Sequence, residues 1–243
     1  MTPIIEHLVA IVPAAGIGSR MGADIPKQYL MLEHQPIIAH TLDVLLQHPR
    51  IAQVIVALNP DDTFFESLPQ AHHPKLKVVQ GGKERADSVL AGLSHVGQHS
   101  WALVHDAARP CLHPSDIDKL ISAVEQQADS APQGAILAMP VRDTMKRSNN
   151  EGNIDTTICR NNLWHALTPQ LFPATSLKAN LSNALAQGVN ITDEASAMEW
   201  AGAAPQLVVG RADNIKVTHP DDLRLAALFL NSRDSLTAFN HKQ

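Results

Sequence analysis

The sequence predicts an α/β protein: a doubly wound, mostly parallel sheet with a protruding β-hairpin arm. Three observations carry that prediction. Short apolar runs recur along the chain and alternate with stretches of helical period, the rhythm of strands joined by helical crossovers. The first run, Leu8 to Val12, passes straight into the glycine-rich segment Pro13 to Gly22. The rhythm then breaks once, between Pro140 and Asn162, where two extended runs flank a polar turn.

In chain order, Leu8 to Val12 has the continuous apolar character of a strand buried on both faces. The glycines after it, Gly16, Gly18 and Gly22, permit positive φ and close backbone approach to a ligand. Ile37, Ile38, Leu42, Leu45 and Leu46 form one face of a helix, and Ala86, Val89, Leu90, Leu93 and Val96 another. Strands are expected at Val54–Leu58, Leu76–Val79, Ala102–Val104 and Ala135–Ala138. A helix over Asp116–Gln127 starts after Pro114-Ser115 and carries Ile117, Leu120, Ile121 and Val124 at the same spacing.

The runs Val141–Arg147 and Ile154–Arg160, joined by Ser148 to Asn153, predict the hairpin. A two-stranded ribbon has little core of its own, so the arm over 140–162 needs a neighbour, either its own domain or a second copy of the chain. Beyond it, Ser176–Gln187 and Glu194–Trp200 are expected as helices and Gln206–Val209 as a strand. A last helix spans Pro220–Leu230, with Asp221 and Asp222 complementing its N-terminal dipole. The right-handed crossover rule winds these units onto both faces of one sheet, with ligands at the carboxyl ends of its strands.

At 243 residues, with 44 % apolar and 18 % charged residues, the expectation is one domain over 1–243. No apolar run approaches the ~18 residues of a membrane span. Residues Met1 to His7 lack the basic region and cleavage site of a secretory signal, and Cys111 and Cys159 are far apart, so a reducing, cytoplasmic setting is expected. A net charge of −5 argues against a nucleic-acid surface. The thirteen histidines, His72-His73 included, show no ligand spacing and are expected on the surface. Within this acidic chain Arg20, Lys27, Arg85, Arg109, Arg160 and Lys216 all adjoin turns or strands, where anionic ligands bind.

The first loop fails two familiar motifs. A P-loop ends in Gly-Lys-Ser/Thr, whereas this one has Arg20-Met21-Gly22, and the dinucleotide fingerprint places a glycine where Met21 stands. What remains is a nucleotidyltransferase signature, or a plain turn between strand and helix. Arg20 and the downstream Pro26-Lys27 offer fixed positive charge beside backbone N–H donors. Gly81-Gly82 follows another strand and enters a helix, so its backbone suits a flat ligand while Ser88 supplies a hydroxyl. Asp106, in His105-Asp106-Ala107-Ala108-Arg109, stands at the end of a third strand, either as a surface turn residue or as a ligand for Mg²⁺.

Together these segments resemble the methylerythritol phosphate cytidylyltransferases of the non-mevalonate isoprenoid pathway. The likeness runs through Pro13–Gln28, Gly81–Gly92, Val104–Pro114, Pro140–Arg147, Arg160–Gln170, Ile191–Ala197 and Gly210–Val217. Pentitol (ribitol) phosphate cytidylyltransferases share only the first half of the pattern, and Trp164 to Gln170 with Pro140 to Arg147 favours the methylerythritol branch. The resemblance implies a Rossmann-like nucleotidyltransferase fold and transfer of CMP from CTP to 2-C-methyl-D-erythritol 4-phosphate. It also implies dependence on Mg²⁺ or another divalent cation, and a homodimer made through the arm.

By the same resemblance Arg20 and Lys27 neutralise the triphosphate, while Arg160 and Lys216 hold the acceptor phosphate in line. Ala14, Ala15, Gly16, Gly18, Gly82, Ser88, Asp106 and Ala107 bind the nucleotide, with backbone groups at Ala14, Gly82 and Ala107 reading cytosine. Asp106, Arg109, Thr144, Thr168 and Thr192 join Arg160 and Lys216 at the acceptor, and Asp106 is the metal candidate. Thr168 and Thr192 also suit a bland role as caps of turns, and Asp213 either orients Lys216 or the metal or shapes a turn. His105 is taken as an electrostatic neighbour only. Two departures stand out: Lys83, where the family frequently has an acidic residue, and Ser19, where a second basic residue often follows Gly18. A non-catalytic CTP-binding protein is the rival from another class, and it has no need of Arg160, Lys216 and Thr192 together.

Overall fold

The computed structural model describes residues 5–16, 25–127 and 133–240, with side chains described as far as residue 233. Gly18, Ser19, Arg20 and Gly22, with the rest of segment 17–24, lie outside the described residues.

Seven strands form one sheet. They are β1 (Leu8–Ala14), β4 (Ile51–Leu58), β5 (Leu76–Gln80), β6 (Trp101–Val104), β7 (Ala135–Pro140), β10 (Trp164–Pro173) and β11 (Gln206–Val209), in the order β11-β7-β10-β6-β1-β4-β5. All neighbours pair in parallel except β10, which runs antiparallel to both β6 and β7. The minor strands β2 (Met31–Leu32) and β3 (Gln35–Pro36) make a short ribbon of their own.

Side-chain parity along the strands explains the layers. In β1, Ala10 and Val12 face one core while Ile11 faces the other, and in β6 Leu103 opposes Ala102 and Val104. Helices α1 (Ile37–Gln47) and α3 (Pro114–Glu125) cover the first face through Ile38, Leu42 and Leu45 and through Ile117, Leu120 and Val124. Helices α2 (Arg85–Leu93), α4 (Ala174–Ala186) and α5 (Glu194–Trp200) cover the second through Val89, Leu93, Leu177, Leu181 and Met198. Strands sandwiched in this way must be apolar throughout, the signal that located them in the sequence. No helix among the described residues is long and apolar enough to cross a membrane.

Three expectations need correction. Residues 164–173 form the ten-residue strand β10 between β7 and β6, where the sequence offered a motif but no strand. Its exposed pair His165-Ala166 and its two prolines, Pro169 and Pro173, hide the strand pattern. The histidines are not all on the surface: His40, His48 and His105 are buried, and His40 donates to or accepts from groups at Gln35 and Leu32. The final helix α6 runs over Pro220–Asn240, past the expected end at Leu230. Its start agrees: the Asp222 carboxylate accepts from the backbone N–H groups of Thr218 and His219, each at 2.8 Å.

The arm is a hairpin of β8 (Met145–Ser148) and β9 (Ile154–Ile158), a sheet separate from the main one. It prolongs the antiparallel pair β7 and β10, and the Val141 N–H donates to the Leu163 carbonyl at its base. At the tip the Asn149 side-chain oxygen accepts from the N–H groups of Glu151 and Asn153. Gly152 takes φ +83°, a conformation disfavoured for a residue with Cβ.

Candidate active site

At the carboxyl ends of β1, β5 and β6 a cleft of about 610 Å³ opens to solvent. Ala14, Ala15 and Gly16 supply one wall from the end of β1, joined by Lys27 from the 3-10 turn Lys27–Tyr29. That turn is anchored from behind. Gln28 Nε2 donates to the Ala14 carbonyl at 2.9 Å, and the Tyr29 hydroxyl donates to Asp62 at 2.7 Å while its ring stacks on Phe64. Lys27 Nζ donates to the Val217 carbonyl at 3.2 Å, linking the first loop to the segment that carries Lys216.

Gly82 and Ser88 line the second wall. Neither Gly81 nor Gly82 has positive φ, so close approach is what requires glycine at these two positions, whereas a Cβ on Gly16 would meet nothing within 4 Å. A Cβ on Gly81 would lie 2.6 Å from Ala15 Cβ, and one on Gly82 2.2 Å from Asp87 Cβ. The Ser88 hydroxyl accepts from the Gly82 N–H at 3.1 Å and donates to the Glu84 carbonyl at 3.2 Å, so it fixes the turn. Reciprocal bonds between Glu84 and Asp87 cap α2. The exposed Lys83 also lines the cleft and adds positive charge there.

The floor is Asp106, with Ala107 beside it. Asp106 is 7 % exposed, so it is no surface turn residue. Arg85 Nε meets its Oδ1 at 2.9 Å, Lys216 Nζ its Oδ2 at 3.0 Å and Arg109 Nε its Oδ2 at 3.5 Å. Burial by itself pushes this carboxyl upward, but the charges of Arg85, Lys216 and Arg109 overcome that and hold it far below the usual carboxylate range. Arg85 also forks onto the buried Glu194, Nη1 to Oε1 at 2.6 Å and Nη2 to Oε2 at 3.0 Å.

Behind Asp106 lies a neutral relay. His105 is fully buried, and burial pushes its imidazole down to about 4. The Arg109 carbonyl can only accept, so His105 Nε2 carries the proton and donates to it at 3.3 Å. Nδ1 is then the acceptor for the Thr168 hydroxyl at 3.0 Å, and Thr168 Oγ1 accepts from the Asp106 N–H at 3.1 Å. Asn214 Nδ2 donates to the Thr168 carbonyl, while the Asn214 carbonyl accepts from Arg109 Nη1.

His105 yields a pH prediction. Between its folded value of about 4 and the ordinary 6.5 the unfolded chain binds more protons, so stability falls as pH drops through that window. The contribution of this one group amounts to about 3 kcal/mol at most. Burial lowers His48 and His113 as well, so the His105 share is read from the difference in urea-unfolding free energy between pH 7 and pH 5 with and without His105→Gln. An equal slope in both proteins contradicts the assignment.

The structure thus gathers most of the sequence-predicted residues and separates others. Arg109 and Thr168 are buried behind Asp106 and do not line the cleft. Thr144 and Arg160 sit exposed on the arm, where Arg160 donates to the Arg142 carbonyl, and they do not line the cleft of their own chain. Thr192 is exposed before α5 but does not cap it; Asp193 does, accepting from the Ser196 N–H at 2.9 Å. Asp213 pairs with Arg211 and Arg233, and Lys216 is instead oriented by Asp106. Sequence reasoning noted Arg85 only as one cation among several and missed Glu194, whose position as the first residue of α5 gives no sign that it is buried.

No group of three or more His, Cys, Asp or Glu gathers among the described residues, so the chain builds no metal cage there. Asp106 lines the cleft, and its Oδ1, which meets only Arg85 among those contacts, has a further lone pair to offer. One carboxylate oxygen fits a Mg²⁺ that takes its remaining ligands from phosphates and water.

The chain matches the family model described as "IspD: 2-C-methyl-D-erythritol 4-phosphate cytidylyltransferase" over residues 8–232. A relative of that name in Shewanella loihica is 70 % identical over 95 % of this chain and 95 % of its own. Another, in Shewanella pealeana, is 69 % identical over 93 % of this chain and 96 % of its own. The crystal structure of the Francisella tularensis enzyme of the same name superposes with a TM-score of 0.77 at 34 % identity, covering 92 % of this chain and 99 % of that one.

Proposed function

The chain belongs to the 2-C-methyl-D-erythritol 4-phosphate cytidylyltransferase family and is a nucleotidyltransferase of isoprenoid precursor biosynthesis; on that premise we propose how its residues carry the transfer. CTP lies in the cleft, and 2-C-methyl-D-erythritol 4-phosphate enters beside Lys216. The acceptor's phosphate oxygen attacks the α-phosphorus in line, a new P–O bond forms, and the bond to the β-phosphate breaks to release pyrophosphate. A phosphate monoester is already anionic, so no side chain is needed as a base, and catalysis is positioning and charge stabilisation. The observation that carries this reading is the union of Lys27, Gly82, Asp106 and Lys216 in one cleft.

In this reading Arg20 and Lys27 face the triphosphate, with Ala15, Gly16 and Gly18 lending backbone N–H groups. The carbonyls of Ala14 and Ala107 already accept from Gln28 and Thr41, and each retains a lone pair for the cytosine amine. Ser88 assists by fixing Gly82 rather than by touching the base. Lys216 and Arg160 hold the acceptor phosphate, with Thr144 and Thr192 at its periphery. Arg109 and Thr168 are positioning residues that brace Asp106 from behind.

Mg²⁺ would be held by the nucleotide phosphates and by the remaining lone pair of Asp106, and when bound it supplies charge neutralisation at the phosphates. The homodimer is supported by the arm, whose ribbon packs no core of its own. Ile154 on the arm is 67 % exposed, and on the edge strand β11 Leu207 and Val209 are 43 % and 57 % exposed. A two-fold through this region would cover apolar surface and bring Thr144 and Arg160 to the partner's cleft.

The test is an acceptor assay. Pyrophosphate release is expected only when CTP, a divalent cation and methylerythritol phosphate are present together. Equal turnover with ribitol phosphate, or none with either acceptor, removes the substrate assignment.

A further inference from the structure

Glu194 does not line the cleft, yet it is 1 % exposed and its carboxylate holds both terminal nitrogens of Arg85. Buried Gln170 on β10 accepts from the Ala195 N–H at 2.9 Å and donates to Asp193 Oδ2 at 2.9 Å, pinning the first turn of α5 to the sheet. With Nη1 and Nη2 committed to Glu194, Arg85 reaches Asp106 through Nε alone and only at Oδ1. Oδ2 is left to Lys216, at 3.0 Å, and more distantly to Arg109.

We propose that Glu194, acting through Arg85, is a positioning residue that reserves one oxygen of Asp106 for Lys216. A guanidinium released from Glu194 would turn its fork onto Asp106, because bidentate pairing with a carboxylate is its strongest geometry, and Lys216 would lose its place. The relay joins residues from β10, α5 and α2 to the β6 turn and Lys216, so the acceptor end of the cleft is set by a buried charge outside it. The inference rests on the cytidylyl-transfer reading and deepens it.

The experiment compares Glu194→Gln, which keeps shape and removes charge, with Glu194→Asp, which keeps charge and shortens the side chain. Steady-state kinetics are measured with methylerythritol phosphate, CTP affinity by calorimetry without acceptor, and folding by urea unfolding. For Glu194→Gln the acceptor KM is expected to rise, or kcat to fall, by about tenfold or more, the scale of one misplaced charged contact. CTP affinity stays at the wild-type level, and Glu194→Asp recovers most of the loss. A packing role predicts the opposite order, Asp worse than Gln, and that order overturns the proposal. So does a folded Glu194→Gln with wild-type acceptor kinetics, or one that loses CTP affinity in proportion. If Glu194→Gln does not fold, the same split is read on Arg85→Lys, whose ammonium cannot fork onto Glu194 and still hold Asp106; wild-type kinetics there also overturn it. Wild-type protein with no turnover removes the cytidylyl-transfer reading instead.

Discussion

Lys216→Ala is expected to lower turnover by about 10²- to 10³-fold, the usual effect of removing one well-aimed charge donor from a site of developing negative charge. CTP binding should persist, because Lys216 enters the cleft from the Ile215–Val217 segment and not from the Gly16 or Gly82 turns. Folding should be little affected. Asp106 keeps Arg85 and Arg109, and the Lys216 side chain is 41 % exposed, so the lost pair costs about 1 kcal/mol or less. The measurements are single-turnover CMP transfer, CTP titration and urea unfolding on one preparation. A folded variant that has lost CTP binding would contradict the acceptor role.

Arg160→Ala and Lys27→Ala are each expected to be nearly inactive alone and to regain activity when mixed. The reason is geometric: Lys27 lines the cleft of its own chain, while Arg160 stands on an arm that does not reach it. If the arm crosses a two-fold, a mixed dimer contains one site with both residues intact and one with neither. Random pairing then gives about a quarter of wild-type activity. Mixed proteins with no recovered activity, after subunit exchange has been demonstrated, would place Arg160 outside the shared site. The same preparations give the solution mass, which should be that of a dimer.

Much of this was legible without coordinates because the signals are local. Strands sandwiched between helices must be apolar on both sides, and Leu8–Val12 and Ala135–Ala138 show it directly. Helix α5 was visible at its observed bounds, Glu194–Trp200, and the hairpin followed from two extended runs around Ser148 to Asn153. The motif residues Gly82, Asp106 and Lys216 were legible as a set by resemblance, and the fold brings them to one cleft. Strand β10 was not, since Pro169 and Pro173 interrupt its pattern and its partners β7 and β6 lie on either side of it in space rather than in sequence.

The sequence by itself determined which segments become strands and helices, β10 and the far end of α6 excepted, that the chain handles a nucleotide, and which family it joins. Periodicity and motif spacing are written within windows of a few to about twenty residues. Only the tertiary structure decided that Asp106 is buried among three cations, that His105 is a neutral strut, and that Asp213 belongs to Arg211 and Arg233 rather than to Lys216. A carboxylate in a turn reads the same in sequence whether it meets water or three guanidinium and ammonium groups. What separates the cases is the order in which the sheet places its strands, and that order brings Arg85 and Glu194 together across 109 residues of chain.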